Sequence, residues 1–327
     1  VKEEILELLR KTEDFLSGQQ LCEQLGVSRT AIWKNIKLLQ EDGYQIEAIR
    51  NKGYHLVESP DELTTVEISH ALHTKWIGKP LYCYEEIDST NLEVKRQADS
   101  NAPEGTLVVA DCQNAGKGRR GREWNSPPKT NIAMSLLLRP TIEASKASMI
   151  TILLAMAIKQ GIEKNCGLKT GIKWPNDIIY EGRKICGILT EMTLEESEIA
   201  YVVCGIGINV NTKNFPKELE DKAISLQMIA GEKIKRTSLI NDIWCAFEPL
   251  YETFLETNDL AFIQEEYNES LVNKNNPVYL MERNQRRQVT QLGLATDGGL
   301  EVLNEDDEVE TIYSGEISIR GIYGYID

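Results

Sequence analysis

The segment Gln113-Asn114-Ala115-Gly116-Lys117-Gly118-Arg119-Arg120-Gly121-Arg122-Glu123-Trp124 is the densest concentration of chemistry in this 327-residue chain. Three glycines interleaved with four cations suit neither a helix interior nor an ordinary strand. A loop of that composition lets backbone N–H and guanidinium groups converge on an anion, with glycine permitting close approach. Taken alone it is weak evidence, because basic loops often meet only solvent or nucleic acid.

Four further clusters share the same region. Ile87-Asp88-Ser89-Thr90-Asn91 lies upstream; Ile172-Lys173-Trp174-Pro175-Asn176-Asp177, Gly182-Arg183-Lys184-Ile185-Cys186-Gly187-Ile188-Leu189-Thr190-Glu191 and Gly205-Ile206-Gly207-Ile208-Asn209-Val210-Asn211 lie downstream. Each has a purely structural reading. Ser, Thr and Asn are all good helix caps, so 89–91 can be a cap or a ligand site. Pro175-Asn176-Asp177 has the composition of a turn. Gly205 and Gly207 fit tight backbone packing better than phosphate contact, and no Walker P-loop is present.

The elements that must position these groups form a mixed α and β pattern. The runs GTLVVAD, NIAMSLLLRP and AYVVCGIGINVN are β-like, and Met149, Ile152, Leu153, Met156 and Ile162 recur at helical spacing within about 144–165, the longest helix expected. From about residue 275 the short runs PVYLMER, RQVTQLGLAT and LEVLNE, broken by Asp297-Gly298-Gly299, predict a small antiparallel barrel. Three domains follow: 1–60, 61–273 and 274–327.

The first 60 residues carry a different pattern. Ile5, Leu8 and Leu9 share a helical face, GQQLCEQL continues as a second helix, and Gly26 breaks the chain. Ser28 then caps a helix with Ile32, Ile36 and Leu39 on one stripe. Arg29, Thr30, Trp33, Lys34 and Lys37 occupy its other faces, and two β-like runs around Asn51-Lys52-Gly53 follow as a hairpin wing. Helix, tight turn and second helix with a cationic outer face is the layout of a major-groove reader, with the wing tip on phosphate. Ser28, Arg29, Thr30, Trp33, Lys34, Lys37 and Lys52 are the candidate DNA contacts; the alternative is a docking unit with solvated lysines, and Trp33 suits either a DNA sugar or a packed neighbour.

Bulk properties narrow the classes. A net charge of -15 argues against indiscriminate nucleic-acid binding, so any DNA contact is local: residues 28–57 hold five Lys/Arg against three acids. No apolar run approaches the ~18 residues of a membrane span, and the N-terminal VKEEILELLRK lacks a secretory pattern, which leads to an expectation of a cytoplasmic protein without membrane partners. Seven cysteines without CxxC spacing point to neither disulfides nor a zinc site.

Taken together and in this order, the five clusters resemble those of the biotin-protein ligases, and with the N-terminal module the chain resembles their bifunctional repressor subgroup. The resemblance covers essentially the whole chain. It implies an α+β fold: an N-terminal winged helix-turn-helix, a central mixed-sheet ligase domain of the biotin/lipoate type and a C-terminal SH3-like barrel. It also implies formation of biotinyl-5′-AMP from biotin and Mg2+-ATP, with transfer of biotin to a lysine of a biotin carboxyl carrier protein. Ser89, Thr90, Asn91 and Gln113 would hold the ureido head. Lys117, Gly118, Arg119 and Lys184 would hold the carboxylate and acyl phosphate, with Asn176, Asn209 and Arg320 at the nucleotide. Lys184, Arg119, Lys173 and Asp177 are the catalytic candidates, Asp177 as the group that orients or deprotonates the incoming amine; no protein-held metal is expected. Biotinyl-5′-AMP would serve as corepressor, favouring a homodimer on operator DNA. Two positions depart from the pattern: Lys117, where many relatives have arginine, and Ala223, where some place an aromatic against adenine. The alternatives are a lipoate-type acyl ligase, a ligase without regulation, and a DNA-binding biotin sensor whose ligase half has decayed.

Overall fold

A computed structural model describes residues 1–282, 285–313 and 317–321. The chain divides into two compact units, Val1–Asp61 and Glu62–Asp327.

In the first unit, α1 (Lys2–Arg10), α2 (Gly18–Leu25) and α3 (Arg29–Glu41) enclose Ile5, Leu9, Leu21, Ile32, Ile36 and Leu39. Their ends are set by sequence: Ser17 and Gln20 form a reciprocal capping box, Gly26 ends α2 in the left-handed region, and Ser28 Oγ accepts from Ala31 N–H. The wing is β1 (Gln45–Ile49) antiparallel to β2 (Gly53–Glu58), and Leu16 pairs with Tyr54 beside it. Gly53 has φ +122°, and a Cβ there would stand 2.2 Å from Leu16 O, so only glycine fits.

The second unit begins with α4 (Thr65–Ala71), β3 (Leu81–Ile87), α5 (Thr90–Asp99), β4 (Leu107–Gln113), β5 (Ile132–Leu138) and α6 (Ala147–Cys166). There follow β6 (Gly171–Lys173), β7 (Asp177–Tyr180), β8 (Arg183–Glu195), β9 (Glu198–Ile208), α7 (Leu226–Ala230), α8 (Arg236–Thr257) and α9 (Gln264–Ser270). Among the described residues, the strands form one sheet in the order β3-β4-β5-β9-β8-β7-β6, parallel only between β3 and β4. Side chains alternate across it. Val108, Leu137 and Val203 face α5, whereas Val109, Leu136 and Cys204 join the core containing α6 and α8. Both faces are covered, which is why IAMSLLL is wholly buried.

The final strands are β10 (Pro277–Glu282), β11 (Gln285–Leu294), β12 (Leu300–Leu303), β13 (Val309–Ile312) and β14 (Ile317–Gly321). They make an antiparallel sheet ordered β13-β12-β11-β10-β14, the SH3-like element of the expected fold. Its Val278, Leu280 and Leu300 belong to the same apolar core as the larger sheet.

One expectation needs correction. The helix over 144–165 is not the longest: α6 has 20 residues, preceded by a 3-10 turn at Ala144–Lys146, and α8 has 22. Pro249 within α8 and its buried Arg236 and Glu248 obscure the helical pattern in sequence.

Candidate active site

Strand alternation builds the floor of the site. Ser135, Gly205 and Leu189 stand opposite one another across β5, β9 and β8, and Ala133, Gly207 and Gly187 form the next row on the same face. The glycines leave room for side chains lying on the sheet. A Cβ at Gly205 would be 2.0 Å from Asn91 Oδ1, and one at Gly207 would be 2.3 Å from Trp124 Cε2. Close packing against side chains is thus their role.

The inner pocket lies over this floor, walled by the start of α5, the end of β4 and the glycine-arginine loop. Ser89 occupies the N-cap position of α5 but its hydroxyl makes no capping bond, and the residue is buried at 6% exposure. Gln113 Oε1 accepts from Thr90 N–H at 2.8 Å and from Thr90 Oγ1 at 3.0 Å. Asn91 Nδ2 donates to Glu191 Oε2 at 2.7 Å. The wall is polar and uncharged at its surface, with Lys117, Gly118, Arg119 and Lys184 at its mouth.

That mouth opens into an outer chamber of about 690 Å3. Gly118, Arg119, Trp124, Asn176 and Lys184 line both spaces. Arg119, at the start of a 3-10 turn (Arg119–Gly121), donates to Asn176 Oδ1 at 2.9 Å, and Asn176 Nδ2 in turn donates to Ile188 O at 2.9 Å. Pro175 and Asn176 form the turn between β6 and β7, so the structural and the lining role coexist. Lys184 Nζ is held by Asp177 Oδ1 at 2.6 Å and lies 5.7 Å from the Trp124 ring centre.

Lys173, Arg122 and Arg320 add positive charge to the outer chamber, and Asn209 lines it with its amide 3.4 Å from Lys184 O. Burial pushes the Lys173 ammonium down to about 7; Asp177 opposes, while Lys184, Arg320 and Arg122 add to the depression. Phe215, Pro216 and Leu219 supply an apolar side, and Ala223 lies beside them on a segment bridged to Lys184. Buried Arg236 braces this end of the site, donating to Asp111 Oδ1 and, at 3.1 Å, to Asn131 O.

The structure thus brings all the ligase candidates together: Ser89, Thr90, Asn91, Gln113 and Lys117 at the inner pocket, Lys173, Asp177, Asn209 and Arg320 at the outer, Gly118, Arg119, Asn176 and Lys184 between them. Sequence reasoning missed the placement of Trp124, the network role of Ser135 and the wall of Phe215 and Leu219. Ser135 carried a signal, as the one polar residue within IAMSLLL. Among the described residues no cluster of three His, Cys, Asp or Glu could hold a metal ion.

The first unit presents a separate surface. Ser28, Arg29, Thr30, Trp33, Lys34 and Lys37 are all exposed at the start and along one side of α3, with Trp33 at 52%. Arg29 donates to Gln19 Oε1 at 2.7 Å, and Lys52 at the wing tip sits 5.7 Å from the Phe15 ring centre. Helix, turn, helix and wing follow one another in the expected order.

Residues 84–209 match the biotin/lipoate A/B protein ligase family, and residues 1–55 match a helix-turn-helix domain family. The chain is 45% identical over 258 residues, 78% of this chain and 79% of the other, to the bifunctional ligase/repressor BirA of Bacillus subtilis. With BirA of Escherichia coli it shares 29% identity over 94% of both chains. A biotin protein ligase from Aquifex aeolicus, solved in complex with biotin and ATP, superposes with a TM-score of 0.66 at 28% identity, covering 74% of this chain and 99% of that one. With its cationic chamber joined to a neutral polar pocket and its helix-turn-helix unit, this chain belongs to the family of bifunctional biotin ligase/repressors.

Proposed function

We propose that this chain joins biotin to ATP to form biotinyl-5′-AMP, transfers the biotinyl group to a lysine of a biotin carboxyl carrier protein, and represses transcription from operator DNA through its N-terminal unit. The observation that carries the catalytic reading is the junction: a neutral hydrogen-bonding pocket and a cationic chamber meet at Arg119, Asn176 and Lys184. The donor set suits each ligand half. Ser89, Thr90 and Gln113 offer uncharged polar groups to a ureido ring, whose unpaired burial would cost ~1–3 kcal/mol per group. Lys117, Arg119 and Lys184 suit its carboxylate, and Lys173, Arg122 and Arg320 suit phosphates, with Mg2+ arriving on the nucleotide.

In the first step a carboxylate oxygen attacks the α-phosphorus and the bond to pyrophosphate breaks. In the second, a lysine amine attacks the acyl carbon, AMP leaves and the amine gives up a proton. Charge gathers at phosphorus in the first step, so positioning and cations dominate and no protein nucleophile is needed. Asp177 first orients Lys184, to which it is hydrogen-bonded; a carboxylate at that junction also suits acceptance of the amine proton. A further cleft of about 760 Å3 shares Arg119, Asn176 and Ile188 with the junction and offers the acceptor lysine a way in.

The regulatory half rests on the exposed α3 face and wing. Adenylate that orders the glycine-arginine loop would favour a homodimer presenting two such units to a two-fold symmetric operator. The cytoplasm is the compartment proposed, in keeping with seven cysteines that are all free. Mass spectrometry of ligand bound after incubation with biotin and Mg2+-ATP tests the catalytic reading. A mass for biotinyl-AMP is expected; bound biotin and intact ATP with no adenylate would overturn it.

A further inference from the structure

The donors and acceptors behind the inner wall can be assigned one by one. Asn91 Nδ2 donates to Glu191 Oε2 at 2.7 Å, and an ionised carboxylate only accepts, so the Asn91 amide is fixed with Oδ1 turned to Ser135. Ser135 Oγ lies 2.6 Å from that oxygen and 2.7 Å from Thr90 Oγ1, and its single proton cannot serve both. Asn91 Oδ1 has no proton to give, so the Ser135 proton goes there. At the other end Gln113 Oε1 accepts the Thr90 N–H at 2.8 Å, which leaves Gln113 Nε2 as a donor. The Thr90 hydroxyl proton is then held by Gln113 Oε1, 3.0 Å away, or by Ser135 Oγ. Either way Thr90 Oγ1 meets the pocket as an acceptor.

Glu191 is the origin of this order. It stands on β8 outside the pocket lining and also accepts from Lys95 Nζ at 2.7 Å. Lys95 lies one turn beyond Asn91 on α5, so the two reach the carboxylate from one helix face. Burial opposes its charge, yet the bonds from Lys95 and Asn91 and the charges of Lys95 and Lys117 hold its carboxyl below the usual carboxylate range.

We propose that Glu191 is a positioning residue for head-group selection: it fixes the proton order through Asn91, Ser135 and Thr90, so that the wall offers one acceptor beside one donor, the complement of the N–H and C=O of a cyclic urea. The inference rests on the reading of this pocket as the site of the biotin head. In Glu191→Gln the amide oxygen turns to the Lys95 ammonium and its nitrogen to Asn91. Asn91 then flips, Ser135 donates to Thr90 Oγ1, the Thr90 proton is confined to Gln113 Oε1, and one of the two Thr90 lone pairs is used within the wall, which leaves the ligand a single, weaker acceptor.

The test is ATP–pyrophosphate exchange by the full chain with biotin and with the two cyclic-carbamate analogues in which one ring N–H is replaced by oxygen. Wild type should prefer biotin over one carbamate isomer by about tenfold, the size of one hydrogen bond. Glu191→Gln should raise KM for biotin by about tenfold with kcat within about twofold, and bring that preference towards one. Ser135→Ala, which leaves the Thr90 proton on Gln113 Oε1 and Thr90 Oγ1 an acceptor, should keep the preference, and Glu191→Gln added to Ser135→Ala should then change it no further. An unchanged KM in Glu191→Gln, an equal rise for biotin and both carbamates, or additive effects of the two substitutions would overturn the assignment. A wild-type chain that gives no exchange with biotin would instead sink the reading on which the assignment rests.

Discussion

Lys173 should take up a proton when ATP binds, and the extent can be worked from its surroundings. Burial holds the ammonium at about 7 in the ligand-free chain, with 6% of the residue exposed. At pH 8 the group is then neutral in ~90% of molecules, at pH 7 in ~50% and at pH 6 in ~10%. A polyphosphate in the chamber favours the charged form and returns the pKa to the ordinary lysine range of about 10. Binding therefore takes up ~0.9 proton at pH 8, ~0.5 at pH 7 and ~0.1 at pH 6, and affinity falls by up to about tenfold per pH unit above 7. Calorimetry of a non-hydrolysable ATP analogue with Mg2+, repeated in buffers of unlike ionisation heat, reads the proton count directly. Lys173→Met should abolish the uptake. Uptake below ~0.2 proton at pH 8, or equal uptake in Lys173→Met, would refute the reasoning. The same depressed pKa has a stability consequence. The unfolded chain binds more protons than the folded one between pH 7 and the ordinary lysine value, so this group's contribution to stability rises with pH through that window, by up to ~1.4 kcal/mol per pH unit. Below pH 7 both states are protonated and the full desolvation cost remains.

Three further outcomes are expected. Gly207→Ala places a Cβ 2.3 Å from Trp124 Cε2, so the indole must leave the floor; adenylation measured by pyrophosphate exchange should drop at least tenfold while circular dichroism stays as in wild type. Arg119→Gly removes a cation and the bond to Asn176, and should release free biotinyl-AMP with indiscriminate lysine labelling, seen by blotting a bystander protein; leakage at the wild-type level would remove Arg119 from the phosphate. Replacing Lys34 and Lys37 with Ala should weaken operator binding in gel shifts and lessen the salt slope by ~0.9 for each phosphate no longer neutralised, with adenylation intact; an unaltered slope would take α3 off the DNA backbone.

The parts of this molecule written in local pattern are legible from sequence. The stripe of Ile32, Ile36 and Leu39, the Ser28 cap and the glycine break at Gly26 all act within a few residues, and each appears in the structure where the spacing puts it. The loop from Gln113 to Trp124 is equally plain, because few roles suit that mixture of glycine and cation. What sequence does not carry is partnership across the sheet. Ser135 meets Gly205, and Asn91 meets Glu191 100 positions away, through strand registers that no local spacing encodes. Helix α8 is hidden for a related reason: its Arg236 and Glu248 are buried by partners far away, at Asp111 and at the backbone of 75–77, so its polar residues look like surface.

The placement of the two spaces on either side of Arg119, Asn176 and Lys184 makes the enzyme modular. In the function proposed above, a few side chains on α5, β4 and β5 would decide which acid is accepted, and cations on the loop, β6, β8 and β14 would decide how it is activated. The two sets lie on different elements, with Arg119 and Lys184 bordering both spaces. A lineage, or a designer, that substituted small aliphatic residues at Thr90, Asn91 and Ser135 would trade the urea-reading wall for an oily one and keep the adenylating machinery. A single scaffold can in this way be retuned from one carboxylic acid to another without reinventing its chemistry.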